Sequence, residues 1–160
     1  MLPRLKTPAS IAAKAERIGC STNLDEVRTR IRDIAGIRIV CSFVSDVYTV
    51  ADMLTRQPDV NLVLTKDYIT GPKTNGYRSL HLIVEIPVFL SERVVQVPVE
   101  IQLRTAAMDF WASLEHKIHY KYDPQVPGAL REELAAAAED AARLDRRMEH
   151  LHREIHGPRR

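Results

Sequence analysis

Residues 34–43 are almost all apolar and rich in β-branched side chains, with Arg38 as the charged interruption. That pattern predicts a mostly buried strand presenting one guanidinium. Three more stretches predict strands, at 60–67, 79–86 and 94–103. In 79–86, Leu80, Leu82 and Val84 alternate with His81, Ile83 and Glu85. In 94–103, Pro98 argues for a sheet edge or a bulge. Helical signals lie between them. Residues 9–18 follow Pro8 and stop at Gly19, and Asn23 can cap a second helix to about 32. Ser45 or Asp46 can cap a helix to about 56, with Val47, Val50, Ala51 and Leu54 on one face and Pro58 beyond it. Thr105 opens a helix to about 120, and Asp123-Pro124, Pro127 and Gly128 read as a linker. Over about 129–156, Leu130, Leu134, Ala137, Ala141, Leu144, Met148, Leu151 and Ile155 form a heptad seam. The seam packs either on the same domain or on another subunit.

Three strands in succession exclude a strictly alternating doubly wound fold. The expectation is α+β: a mixed sheet of four to five strands flanked by helices, with a long C-terminal helix. One domain over 1–160 suffices, with the sheet and its helices in about 1–128 and the last helix in about 129–156.

Composition narrows this little. Hydrophobic residues at 45% and charged residues at 28% are ordinary for a globular chain. No apolar run is long enough to span a membrane and the start has no signal-like stretch, so a cytoplasmic address is expected. Cys20 and Cys41 are too few and too far apart for a disulfide framework or a zinc site. The glycines make neither a dinucleotide fingerprint nor a P-loop.

Charge says more. The net charge is only +2, yet the first forty residues hold Arg4, Lys6, Lys14, Arg17, Arg28, Arg30, Arg32 and Arg38 against four acids. That points to a local anionic ligand.

Four constellations carry candidate chemistry. Asp33 stands at the mouth of the strand bearing Arg38; taken alone, an aspartate there is more often a cap or turn residue, but the Arg38 guanidinium is costly in that strand unless paired or turned into a cleft. Glu100, Gln102 and Arg104 alternate with Val99, Ile101 and Leu103 and share one face. Asp33 and Glu100 could supply two carboxylates, a donor set suited to Mg²⁺ with phosphate oxygens or to general-base work. From Lys66 through Tyr68, Lys73, Asn75, Tyr77 and Arg78 to His81, cations, glycine hinges and aromatics alternate, suiting phosphates and a stacked base. Arg4, Lys6, Lys14 and Arg17 form a basic group that is either a solvated face or a phosphate contact. His152 and His156 have the i,i+4 spacing of zinc ligands but lie in a charged tail, which favours solvation; structural roles are expected for His116 and His119.

Arg4-x-Lys6, Asp33-Ile34-Ala35-Gly36-Ile37-Arg38, the 73–81 stretch, Glu100-Ile101-Gln102-Leu103-Arg104-Thr105 and Met108 to Lys117 occur together and in order. In that combination the chain resembles the RelA/SpoT-homology family, and within it the small single-domain alarmone synthetases. The resemblance runs over about 4–156. It implies a nucleotidyltransferase-like fold and transfer of the pyrophosphate of ATP to the 3′-hydroxyl of GDP or GTP, giving AMP and ppGpp or pppGpp. It implies that Arg4 and Arg38 sandwich adenine and that Lys6, Lys14 and Arg17 hold ATP phosphates. Asp33 and Glu100 would bind Mg²⁺, with Glu100 also activating the hydroxyl. Tyr77 would stack on guanine, while Lys66, Lys73, Asn75, Arg78 and His81 line the acceptor nucleotide, with Gln102 and Arg104 as further contacts. Family members also form homo-oligomers, tetramers among them, and a nucleotide- or single-stranded-RNA-binding module without catalysis is the alternative reading. With no His-Asp pair in the sequence, synthesis without hydrolysis is expected. The helical segment that precedes the Arg-x-Lys motif in small synthetases is expected to be missing.

Overall fold

The computed structural model describes residues 1–21, 23–122 and 127–157, and among these the side chains of all but 119–122 and His156. The readings made for His119, His156 and Asp123-Pro124 therefore lie outside the described residues.

The element order is β1 (Leu2–Leu5), α1 (Pro8–Arg17), α2 (Leu24–Arg30), β2 (Ala35–Cys41), α3 (Val44–Thr55), β3 (Asn61–Asp67), β4 (Leu80–Phe89), β5 (Val94–Thr105), α4 (Ala106–Tyr122) and α5 (Gly128–His156). The strands form one mixed five-stranded sheet in the order β1-β2-β5-β4-β3. The α+β expectation and the long last helix hold. Local chemistry starts the helices where the sequence signals it. Thr7 accepts from the Ser10 amide at 3.3 Å to cap α1, and Asn23 accepts from the Asp25 amide at 3.0 Å to cap α2.

Several expectations need correction. Strand β1 is not signalled by the sequence, since four residues including Pro3 show no usable alternation. It exists because it pairs antiparallel with β2, and its edge position tolerates a proline. Strand β5 lies inside the sheet, not at its edge. Pro98 falls in the half-exposed first part of β5, before continuous burial begins beyond Glu100. The seam of α5 also divides. Leu134 and Ala141 pack with Trp111 and Ala112 of α4, joined by Ala138 in place of the seam's Ala137, which is exposed, whereas Leu144, Met148, Leu151 and Ile155 are exposed. The second half of α5 buries Asp145 and Glu149 instead, and His152 stacks on Phe43 with ring centroids 4.3 Å apart rather than being solvated. His116 is exposed and fills no core position.

The chain forms two compact units. The first comprises Met1–Ile39, Asp52–Lys66 and His81–Gln102; the second comprises Val40–Ala51, Asp67–Leu80 and the residues from Leu103 onward. In the first, Ala15, Cys20, Val27 and Ile31 pack with Ile11, Ile18 and Ile34. In the second, the Trp111 indole N–H donates to the Leu134 carbonyl at 2.9 Å, locking α4 to α5. Cys20 and Cys41 are both free thiols. Among the described residues no helix is long and apolar enough to cross a membrane.

Asp145 gives a stability prediction. Thr105 Oγ1 donates to its Oδ2 at 2.6 Å, yet burial and then the charge of Glu149 push its carboxyl above the ordinary value. A raised carboxylate pKa means that folding opposes ionisation. The cost is absent below the unfolded value of 3.8 and fully present once pH exceeds the folded one. Asp145→Asn keeps an acceptor for Thr105 and removes the charge. Its Tm at pH 7 is expected to rise by about 2–4 °C, corresponding to ~1 kcal/mol. The gain should disappear in acid. A lower Tm at pH 7 would show that the charge is stabilising.

Candidate active site

In the first unit, the β1–β2 pairing sets a slot. Arg4 stands opposite Gly36, and Leu2 opposite Arg38. Opposed residues share a face, as do residues two apart on a strand. Arg4 and Arg38 therefore project from one face as diagonal neighbours, roughly 7 Å apart at the backbone, with Gly36 and Leu2 at the other two corners. A Cβ on Gly36 would lie 3.2 Å from the Glu100 carbonyl oxygen, so a side chain is both crowded and obstructive there. Arg4, Gly36, Arg38, Glu100 and Gln102 line a cavity of about 310 Å³.

Beside this face the basic group takes a definite form. Lys6 Nζ donates to Asp33 Oδ2 at 2.8 Å, and Lys14 Nζ from α1 lies 2.6 Å from Oδ1. The Lys6 amide is fixed to the Ile34 carbonyl at 2.8 Å, which holds the lysine against the mouth of β2. Burial alone would raise the Asp33 pKa, but Lys14 and then Lys6 outweigh it and hold the carboxyl below its ordinary range. The stabilisation from this trio is thus present above about pH 3.8 and is lost as pH falls through the folded value. Arg17 is exposed on α1, one turn from Lys14.

Glu100 is held at both oxygens. His81 Nδ1 lies 3.2 Å from Oε1, and Gln102 Nε2 donates to Oε2 at 2.8 Å. Burial would raise its pKa; His81 and then Gln102 reverse this, Asp33 pushes back, and the net effect keeps Glu100 ionised. His81 and Gln102, both buried, are thus brought to Glu100, whereas the resemblance groups them with the acceptor contacts. Lys66 is exposed on β3 in this first unit.

In the second unit the 71–79 loop is tied to α4 and α5. Lys73 Nζ sits over the rings of Tyr68 and Tyr77, at 4.8 and 4.9 Å. Asn75 Nδ2 donates to Glu115 Oε1 at 3.0 Å, and Arg78 Nη2 to Glu139 Oε2 at 2.9 Å. Gly76, at φ +87°, sits so close to α5 that an added Cβ would lie 2.5 Å from that of Ala138. Arg104 is only 4% exposed, and its guanidinium donates to the Tyr77 hydroxyl at 2.6 Å and to Asp109 at 3.2 Å. Its contacts hold Tyr77 in place rather than forming an open surface. Glu115 and Glu139 are the residues that motif reading missed as partners of this loop. No spacing in a single sequence links them to it, because the contacts span 40 and 61 residues.

The family model for the region found in RelA / SpoT proteins matches residues 3–125, which include all of these candidates except Glu139. The chain belongs to the RelA/SpoT family. Among curated relatives of that family, the GTP pyrophosphokinase YwaC of Bacillus subtilis is 53% identical over 95% of this chain and 72% of its own length. The small alarmone synthetase 1 of Bacillus subtilis, solved bound to its product pppGpp, superposes with a TM-score of 0.90. It is 41% identical, and the match covers 97% of this chain and 78% of that one. The same enzyme bound to AMPCPP gives a TM-score of 0.81 at 36% identity, covering 98% and 78%. In RelA/SpoT terms, the motifs that carried the resemblance are β1, the mouth of β2, the 71–79 loop, β5 and α4.

Proposed function

We propose that this protein is a GTP pyrophosphokinase that transfers the pyrophosphate of ATP to the 3′-hydroxyl of GDP or GTP, giving AMP and ppGpp or pppGpp. The observation that carries this reading is the grouping in the first unit of a slot between two guanidiniums, the lysine-flanked Asp33, and an ionised Glu100 held at both oxygens. A flat base suits the slot, since each guanidinium offers a cationic face to one side of adenine and Gly36 leaves the space open. Lys6, Lys14 and Arg17 supply charge-assisted donors for the ATP phosphates.

The acceptor hydroxyl loses its proton to Glu100, and its oxygen attacks the β-phosphorus of ATP. The bond from that phosphorus to the oxygen it shares with the α-phosphate breaks, and AMP leaves with the electron pair. His81 and Gln102 keep the Glu100 carboxylate in one orientation, so the base is preorganised. Tyr77 stacks on guanine, held by Arg104; Lys66, Lys73, Asn75 and Arg78 serve the acceptor and its phosphates.

Asp33 and Glu100 suit Mg²⁺. Both are ionised carboxylates that sense each other's charge, and Asp33 Oδ1 is buried without a well-aligned hydrogen bond despite the nearby Lys14. When bound, the ion supplies positive charge that neutralises phosphate oxygens.

Turnover with Mg²⁺, labelled ATP and GDP or GTP tests the reading. Matched amounts of AMP and a guanosine product bearing a 3′-pyrophosphate are expected. Saturable nucleotide binding with no product would overturn it in favour of a nucleotide- or single-stranded-RNA-binding module.

A homo-oligomer is also proposed. Leu144, Met148, Leu151 and Ile155 are exposed at spacings of four, three and four, forming one apolar stripe on α5. Sedimentation at micromolar concentration should show an assembly that Met148→Glu with Leu151→Glu dissociates. A monomer in the unaltered protein sinks the idea.

A further inference from the structure

The second unit contains a cavity of about 570 Å³ lined by Lys73, Thr74, Asn75, Glu115, Arg131 and Leu134. Its volume is in the range of small-molecule sites. Among the described residues Glu115 is the one carboxylate of that lining, and it comes from α4 rather than from the loop. Asn75 ties it in place: Nδ2 donates to Glu115 Oε1 at 3.0 Å, while Oδ1 accepts from the Tyr77 amide at 3.2 Å. The carboxylate, the amide and the aromatic residue proposed to stack on the base are therefore linked in series.

A carboxylate discriminates sharply among purines. Guanine presents two adjacent donors, N1–H and the 2-amino group, which match its two oxygens. Hypoxanthine presents only N1–H. Xanthine replaces the amino group with a carbonyl oxygen, which a carboxylate repels, and adenine presents an acceptor at N1. A site built around paired donors rejects an analogue lacking them because the buried group is left without its partner. We propose that Glu115 reads the Watson–Crick edge of guanine and sets the acceptor's base specificity, with Asn75 as the residue that positions its carboxylate. This rests on the guanine-nucleotide reading given above.

The competing role is a simple pin, with Glu115 doing no more than holding the loop through Asn75. Glu115→Gln separates the two, because glutamine retains an oxygen for Asn75 but exchanges one acceptor for a donor. That donor matches the xanthine 2-carbonyl and opposes the guanine 2-amino group. The measurement is kcat/KM for GTP, ITP and XTP as acceptors, at fixed ATP and Mg²⁺. The unaltered enzyme should prefer GTP to XTP by roughly 100-fold or more, given the discrimination available to a hydrogen-bonding site. In E115Q, GTP should fall by roughly 10-fold or more while XTP rises in absolute terms. A gain on XTP cannot come from misfolding. Glu115→Ala should lose the preference of GTP over ITP without gaining XTP.

Unchanged GTP:ITP:XTP ratios in E115Q would overturn the inference and leave Glu115 as a pin. If the unaltered protein makes no product from GTP, the pyrophosphokinase reading fails instead. Calorimetric binding of GDP against XDP, in the unaltered protein and E115Q, then still decides the role of Glu115. An unchanged GDP:XDP ratio overturns it, and a shift toward XDP upholds it.

Discussion

Replacing Glu100 with glutamine is expected to reduce kcat for pyrophosphate transfer by roughly 10²- to 10⁴-fold, the usual contribution of a positioned general base. ATP binding should change far less. The substitution is nearly isosteric, so the cavity shape beside Arg4 and Arg38 survives. What it removes is the negative charge that His81 Nδ1 and Gln102 Nε2 both address, at 3.2 and 2.8 Å. An amide has one acceptor where the carboxylate has two, so one of these buried donors then meets an N–H group. That mismatch costs about 1–3 kcal/mol and should appear as a lower Tm. The proposed proton acceptor and the proposed metal ligand are lost together. AMP release under saturating nucleotide, set beside ATP affinity from calorimetry, gives the result. A kcat within tenfold of the unaltered enzyme, with intact binding, would remove Glu100 from the chemistry.

Gly76→Ala should damage the proposed acceptor side alone. Gly76 has φ +87°, where a Cβ is strained, and the added atom would lie 2.5 Å from the Ala138 Cβ. A residue forced into left-handed backbone costs about 1–2 kcal/mol, and overpacking a tight contact costs about 1–3 kcal/mol. Near the lower end, a loss of about 2 kcal/mol corresponds to roughly a 30-fold weaker interaction. The loop must leave α5 or shift, and Asn75, Tyr77 and Arg78 move with it. KM for GDP or GTP should therefore rise by roughly 30-fold or more, while KM for ATP stays near its original value. Adding Ala138→Gly relieves the contact but not the backbone strain. The double variant should recover part of the acceptor KM, at a further cost of about 1 kcal/mol in helix stability. Steady-state kinetics with each substrate varied in turn would check both. An unchanged acceptor KM in Gly76→Ala would show that the docking on α5 is dispensable.

The two predictions differ in how far sequence reading alone reaches them. Glu100 stood out because alternation along 99–104 put it on a polar face beside Gln102, a property of neighbouring residues that strand geometry converts directly into position. Gly76 stood out only as a hinge between aromatics. Its close approach to Ala138 depends on where α5 lies, 62 residues further along the chain. The same distinction runs through α5. A heptad seam is a repeat that one helix can display alone, yet which half of it is covered depends on what packs there. Leu134 and Ala141 meet Trp111 and Ala112, while Leu144 and Ile155 are left exposed.

By itself, then, the sequence determined the α+β element order from α1 onward, the Asn23 cap of α2, and the shared face of Glu100 and Gln102. It also determined the family, through five motifs in order. These rest on propensity, periodicity and local hydrogen bonds, whose physics acts over a few residues. Only the tertiary structure decided that Leu2–Leu5 is a strand, since an edge strand forms by borrowing the hydrogen bonds of its neighbour. It alone set Arg4 beside Arg38 across Gly36, turned His81 to Glu100, and tied Asn75 to Glu115 and Arg78 to Glu139. Each of these joins residues from distant parts of the chain, and the packing energy that holds them is summed over the whole fold rather than written in any one segment.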